Sequence, residues 1–168
     1  MNCYEVLGVL PGVTSVVGSG GKTTLLSKLS QEVRGTVVLT TSTHILPFPN
    51  MPLLENPTLS EVKDALTTHR VICVGAFSGE KHKLGPSALC AQELASVADY
   101  VFVEADGSKR LPLKAHAPHE PVIPEGSRRT IQVVGLSGFG LPVNQTVHRS
   151  EIFWMPRTMV LRPANVDR

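Results

Sequence analysis

The 168-residue chain has few aromatic residues, few cysteines and no long hydrophobic run. With only 5% aromatic residues, it offers little material for a surface on which nucleic-acid bases stack. Its sixteen basic and fourteen acidic side chains nearly balance, and the net charge of +2 does not indicate a nucleic-acid footprint. We therefore expect no nucleic-acid partner.

The cysteines and the apolar runs limit where the protein is expected to work. Cys3, Cys73 and Cys90 are odd in number, far apart and without a C-x-x-C pair, which favours reduced thiols over a disulfide framework. No apolar run approaches the roughly 18 residues that a membrane-spanning helix needs, and the N-terminus has no basic segment before an apolar one. We expect a cytoplasmic protein without a membrane span or signal peptide.

A glycine-rich segment near the N-terminus is the most informative motif. The apolar run 14–17 leads directly into a segment that we call the glycine loop: Gly18, Ser19, Gly20, Gly21, Lys22, Thr23 and Thr24. Glycines allow backbone N–H groups to point at an anion without a Cβ in the way. A lysine after them suits the β- and γ-phosphates, a threonine hydroxyl suits Mg²⁺, and a helix N-terminus favours negative charge.

The glycine loop therefore predicts a site for ATP or GTP with Mg²⁺, in which Lys22 also takes part in catalysis. A glycine turn before an ordinary helix is the structural alternative. The common phosphate loop would place its first glycine at position 16, where this chain has Val16. The shorter spacing G-x-x-G-K-T-T resembles that of the Mur ligases and folylpolyglutamate synthases. We expect Lys22→Ala to remove most of the phosphate affinity but spare the fold, because a loop lysine supports little core packing.

Strand and helix patterns alternate along the chain. Apolar runs predict strands at 14–17, 36–40, 70–76, 99–104 and 130–135, and helical periodicity predicts helices at 22–33, 58–69 and 86–98. Most of the strand runs are continuously apolar, as in strands covered on both faces. This order predicts one α/β domain over 1–168, a three-layer fold like that of P-loop NTPases, with helices on both faces of a mostly parallel sheet. Loops that follow the strands then converge at one edge of the sheet.

Hydroxyl groups follow the second predicted strand. Thr41 and Thr43 belong to a run of four hydroxyl residues before His44. Hydroxyls suit phosphate and Mg²⁺–water contacts because they donate and accept without adding charge. We predict that Thr41 and Thr43 contact the nucleotide; a capped turn is the structural alternative.

Two carboxylates, Glu104 and Asp106, stand at the end of the predicted strand 99–104. In phosphate-loop proteins a carboxylate at this place holds Mg²⁺ or positions the attacking nucleophile. Both are predicted catalytic residues, and Thr23 and Glu104 are predicted to ligate the metal. The alternative is that Asp106 and Gly107 only form a turn.

A basic segment follows these carboxylates. Lys109, Arg110 and Lys114 are predicted to neutralise phosphates or an acidic substrate from a lid. His116 and His119 have a spacing that binds metal on a helix, but the intervening proline breaks such a helix. Solvated loop histidines are therefore expected there.

Several blocks taken together resemble the YqeC family, accessory proteins associated with selenium-dependent molybdenum hydroxylases. The blocks are residues 17–25, 39–44, 103–108, 112–114, 120–124 and 147–149. The resemblance implies a phosphate-loop fold, nucleotide binding and a supporting role in hydroxylase maturation, with the hydroxylase or its maturation factors as partners. Family members are longer and the pattern fades over the tail 154–168, so we expect a C-terminal portion to be missing.

Three functions stay open at this point. The first is a Mg²⁺-dependent nucleoside triphosphatase whose hydrolysis drives a maturation step. The second, suggested by the Mur-like loop spacing, is an ATP-dependent ligase or kinase-like transferase acting on a small acidic substrate. The third is a nucleotide-sensing interaction module that binds without turnover.

Overall fold

A computed structural model describes residues 1–78, 83–153 and 159–160. The strands are β1 Gly12–Gly18, β2 Val37–Thr41, β3 Leu53–Glu55, β4 Val71–Ser78, β5 Lys83–Gly85, β6 Tyr100–Glu104, β7 Leu113–Lys114, β8 Arg129–Val133 and β9 Val147–His148. The helices are α1 Cys3–Val6, α2 Lys22–Glu32, α3 Leu59–Thr68, α4 Ala91–Leu94 and α5 Val143–Thr146. Most of the tail 154–168 lies outside the described residues.

The main sheet is mostly parallel. Its strands lie in the order β3-β4-β2-β6-β1-β8, with every neighbouring pair on this path parallel, and β5 pairs with β4 in the antiparallel sense. Strand β6 lies between β2 and β1, so that Glu104 is in register with Thr41 on one side and Val16 on the other. The carboxyl ends of these three strands therefore meet at one edge.

Helices cover both faces of this sheet. Along β2, Val37 and Leu39 face a core shared with α1 and α2, whereas Val38 faces a second core shared with α3 and α4. Alternate side chains of a strand point to opposite faces, so a strand buried on both sides must be apolar throughout. The three-layer α/β architecture predicted from the continuous apolar runs is confirmed. Among the described helices, none has the length and hydropathy that crossing a bilayer requires.

The two longer helices begin and end close to their predicted limits. The Thr58 side chain accepts the Glu61 N–H, and the Glu61 carboxylate accepts the Thr58 N–H at 2.7 Å, which closes a capping box at the start of α3. This reciprocal pairing satisfies two backbone donors that a helix start would otherwise leave open. The spacing of Thr58 and Glu61 is visible in the sequence, which is why this boundary is predictable.

The helix predicted at 86–98 is much shorter in the structure. Helix α4 spans only Ala91–Leu94, after a cap at Cys90. Beyond it, the Val97 N–H bonds to the Leu94 carbonyl three residues back, so the chain tightens into turns instead of continuing the helix. The short edge strands β3 and β5 were not predicted, because three residues carry no readable periodicity.

A second, small unit stands beside the main sheet. Strands β7 and β9 pair in parallel, and Leu113, Val143 and Val147 form its buried centre. We call this the β7–β9 unit. It is attached to the glycine loop, because the Pro112 carbonyl accepts both the Ser19 hydroxyl at 2.9 Å and the Gly135 N–H at 2.8 Å. The proline-rich stretch 111–124 is thus anchored at its start to the main domain.

Candidate functional site

The glycine loop joins β1 to α2, as the strand–loop–helix pattern predicts. Gly18, Gly20 and Gly21 all have positive φ, at 92°, 80° and 116°, a region that residues with a Cβ adopt at a cost. A Cβ on Gly18 would lie 2.2 Å from the Val133 carbonyl oxygen, and one on Gly20 would lie 2.4 Å from the Gly135 Cα. Gly18 and Gly20 are thus required by both conformation and space.

Substitutions at the loop glycines test this assignment. We expect Gly20→Ala to lower the free energy of unfolding more than Gly21→Ala. Both add backbone strain of about 1–2 kcal/mol, but at Gly20 the new Cβ also overlaps backbone. Gly107→Ala is the control, since among the described residues nothing lies within 4 Å of its added Cβ. Urea unfolding measures all three; equal losses at Gly20 and Gly21 would contradict the loop geometry.

Lys22 is almost fully buried, with 4% of its surface exposed. Its Nζ donates to the Gly18 carbonyl at 2.7 Å and lies 3.2 Å from Oδ1 of Asp106 and 3.7 Å from Oε1 of Glu104. The premise that this lysine supports little of the interior needs correction, and the effect of its replacement on the fold stays a prediction. The sequence suggests a loop side chain with few interior contacts, whereas the structure places Lys22 between two buried carboxylates.

Glu104 and Thr23 lie together at the mouth of the loop. The Thr23 hydroxyl donates to Oε2 of Glu104 at 3.2 Å. Burial raises the pKa of the Glu104 carboxyl, although the neighbouring Lys22 works in the opposite direction. A desolvated carboxylate beside a hydroxyl is an oxygen pair that suits Mg²⁺, which keeps several waters and takes few protein ligands. Among the described residues, no three His, Cys, Asp or Glu side chains form a group that could hold a metal ion. A Mg²⁺ ion at Glu104 and Thr23 would therefore complete its coordination with water and phosphate oxygens.

Asp106 lies fully buried beneath the loop. Its Oδ2 accepts the Gly18 N–H at 2.8 Å and lies 2.9 Å from Nε2 of His116 and 3.3 Å from Nζ of Lys114. Burial works against ionisation, but the Gly18 hydrogen bond, the charge of Lys22 and the contacts with His116 and Lys114 together hold the pKa of Asp106 below its usual value. Within the described structure its Oδ1 makes no hydrogen bond and has only the Lys22 ion pair. Asp106 therefore fixes the first turn of the loop.

The two predicted hydroxyl residues after β2 have different roles: Thr41 supports Glu104, and Thr43 lines the cleft. Thr41 is buried; its Oγ1 donates to the Glu104 carbonyl at 2.8 Å and accepts the Thr43 N–H at 3.0 Å. Thr41 thus supports Glu104 from behind, whereas Thr43 and His44 line the adjoining cleft. The contacts predicted for Thr41 and Thr43 with the nucleotide stay predictions.

A cleft of about 720 Å³ opens above the glycine loop. Its floor is formed by Gly20, Gly21, Lys22, Thr23, Thr24 and Glu104, and the predicted substrate residues Lys109 and Arg110 line its wall. The structure places Lys114 elsewhere: its side chain is 1% exposed and paired with Asp106 and with Glu120 at 2.9 Å. Lys114 stabilises the wall from within.

The site contains three further residues that were not predicted from the sequence. They are Glu120, His148 and Arg149, and all three line the cleft. The pairing of β9 with β7 brings His148 and Arg149 beside Lys114. Arg149 donates to Glu120 through Nη1. His116, expected to be solvated, instead contacts Asp106. The block 147–149 was the available signal, but three residues carry no interpretable pattern of their own.

Comparisons with known proteins agree on one family. A family model described as "YqeC protein" matches residues 14–151. Over 149 residues the chain is 35% identical to the "Uncharacterized protein YqeC" of Escherichia coli strain K12. The alignment covers 83% of this chain and 58% of that protein, so the chain spans a little over half the length of this relative. No solved structure matches the chain.

Proposed function

This chain belongs to the YqeC family, and from that premise we propose that it binds ATP or GTP with Mg²⁺ at the glycine loop and hydrolyses it. In this proposal the protein is an accessory factor whose turnover supports the maturation of a selenium-dependent molybdenum hydroxylase. The name of the Escherichia coli relative states no activity, so the hydroxylase role derives from the sequence resemblance alone.

One observation carries the nucleotide proposal. Three glycines with positive φ, a lysine and a hydroxyl–carboxylate pair meet at the start of α2. The positive dipole end of the 11-residue helix α2 lies at the same place, and the first N–H groups of a helix have no partner within it. No such combination is needed to close an ordinary turn. An added Cβ at Gly18 or Gly20 would collide with the backbone of Val133 or Gly135, so the loop keeps this shape only with glycine at both positions.

Each residue has a defined part in binding and turnover. With nucleotide bound, the Lys22 ammonium group would pair with the phosphates in place of the Asp106 and Glu104 carboxylates. Lys114 would continue to compensate the charge of Asp106. Thr23 and Glu104 would hold Mg²⁺, which supplies charge neutralisation for the phosphates. The raised pKa of Glu104 reflects a carboxylate that burial leaves poorly solvated, and a cation relieves that cost.

Replacement of Glu104 by glutamine tests this arrangement. We expect nucleotide binding to persist but to lose most of its dependence on Mg²⁺, and turnover to fall by on the order of 10²-fold, because the amide keeps the shape without the charge. Phosphate release at saturating nucleotide measures turnover. Glu55→Gln, a change at an exposed residue of β3, is the control. Unchanged turnover would remove Glu104 from the mechanism.

A ligase or transferase is the second candidate, favoured by the cations across the cleft from the glycine loop. Product analysis separates it from hydrolysis: a phosphorylated or ligated product that requires an acceptor supports transfer. Binding without turnover under either condition would instead support the interaction module.

In cells, Lys22→Ala is expected to abolish hydroxylase maturation, and normal maturation would refute the accessory role.

A further inference from the structure

Three basic residues in the cleft wall have unusual backbone conformations. Among the described residues, the non-glycine positions with positive φ are Asn50, Asn56, Lys109, Arg110 and Arg149. Asparagine tolerates this region because its short side chain bonds locally, whereas lysine and arginine do not share that advantage. All three of the basic residues line the same cleft. Strained residues of this kind gather where a ligand is held.

Part of this wall is held in place by a chain of ion pairs. Arg149 donates to Glu120, Glu120 pairs with Lys114 at 2.9 Å, and Lys114 pairs with Asp106 at 3.3 Å. Lys114 and Asp106 are almost inaccessible, at 1% and 0% of their side-chain surfaces. The position of Arg149 is thus tied through buried charges to the residue that fixes the glycine loop.

Two of the three basic residues of the wall are not neutralised from within, whereas Arg149 pairs with Glu120. Lys109 and Arg110 are exposed and form no ion pair with any residue that the structure describes. The two acids of the cleft, Glu104 and Glu120, are each already paired with a cation. Burial lowers the pKa of the nearby His148, and the charges of Lys114 and Lys109 lower it further, against the opposing charges of Glu151 and Asp106.

We propose that Lys109, Arg110 and Arg149 form a clamp for the anionic group of a second small ligand, an oxyanion-bearing co-substrate held across the cleft from the nucleotide. The inference rests on the proposed function, which assigns the glycine loop to the nucleotide phosphates. Guanidinium groups suit this role because their planar donors match carboxylate and phosphate oxygens in pairs. Lys109 and Arg110 lie outside the chain of ion pairs that reaches Asp106, so their replacement can be tested apart from the glycine loop.

The test uses the protein saturated with Mg²⁺ and a non-hydrolysable ATP or GTP analogue, so that the glycine loop is occupied. Inorganic phosphate and, separately, succinate are titrated into this complex by calorimetry. We expect one site, weakened about ten-fold or more in the Lys109→Gln/Arg110→Gln double variant, which removes two charge-assisted contacts from exposed side chains. A preference between the two probes identifies the oxyanion class.

Controls separate this clamp from general charge and from the nucleotide site. The Arg34→Gln/Lys63→Gln double variant removes the same charge from exposed positions outside the cleft and should bind the probes as the unchanged protein does. Arg149→Gln should weaken the probes as well. The clamp would be overturned if neither probe bound, or if the control double variant lost as much probe affinity as Lys109→Gln/Arg110→Gln. It would also be overturned if Lys109→Gln/Arg110→Gln lost as much affinity for the analogue as for the probes.

Failure of the analogue itself to bind would refute the proposed function without deciding this inference. Phosphate titration of the unliganded protein then decides it. Binding that is lost in Lys109→Gln/Arg110→Gln but kept in Lys22→Ala supports the clamp, and the reverse pattern, or no binding, overturns it.

Discussion

Lys22→Ala is expected to weaken the binding of the Mg²⁺–nucleotide complex by about 10-fold to 100-fold, the loss of one or two charge-assisted contacts to phosphate. It should also destabilise the unliganded protein by about 1–3 kcal/mol, because Glu104 and Asp106 lose a shared cation inside the domain. The cost stays moderate because Lys114 still compensates Asp106. Calorimetry measures the affinity and urea unfolding the stability.

A lysine on the same helix is the matched control. Lys28 is 60% exposed and pairs with Glu32 one turn along α2, so Lys28→Ala should cost no more than about 0.5 kcal/mol and leave nucleotide affinity unchanged. If Lys22→Ala binds nucleotide as well as Lys28→Ala does, the lysine does not hold phosphate. If its stability is unchanged, the buried ion pairs do not contribute.

Asp106→Asn is expected to lower the free energy of unfolding by about 3–5 kcal/mol, a large part of the total stability of a domain. The asparagine keeps an acceptor for the Gly18 N–H but removes the charge that Lys22 and Lys114 share inside the protein. Breaking these buried pairs leaves Lys22 with Glu104 alone and Lys114 with Glu120 alone, so each cation keeps one carboxylate instead of two. Chemical unfolding at neutral pH measures the loss.

The pH dependence of this loss has a defined sign. Because the folded pKa of Asp106 lies below its ordinary value of 3.8, its contribution is complete above that value and disappears as the pH falls through the lowered pKa. The Asp106 charge should therefore contribute to the stability difference between the two proteins down to about pH 4, and the difference should narrow below that pH. Asp64→Asn, at an exposed position of α3, should change neither quantity. A difference that does not narrow below about pH 4 would contradict the assignment.

The main features of the fold were predictable from local pattern. Residues 14–24 contain an apolar run, glycines and a helix start in the order that β1, the glycine loop and α2 require. Continuous apolar runs predicted strands covered on both faces, and the two cores confirm them. These predictions succeed because each depends on neighbours in the sequence.

The internal partners of the site were not predictable in the same way. Lys114 was expected in a lid, yet it is buried because Asp106 and Glu120 supply compensating charge, and that pairing depends on how distant segments pack. Likewise, Arg149 reaches the cleft only through the pairing of the two-residue strands β7 and β9, which have no periodicity to read. The sequence indicated which residues carry charge, but not which charges meet.

We propose above all that the glycine loop binds a nucleoside triphosphate with Mg²⁺. Isothermal titration of ATP and of GTP, each with and without Mg²⁺, is the decisive test. We expect at least one of the two to bind at a single site, with an affinity that falls sharply when Mg²⁺ is withdrawn. Absence of binding by both nucleotides in the presence of Mg²⁺ would contradict it.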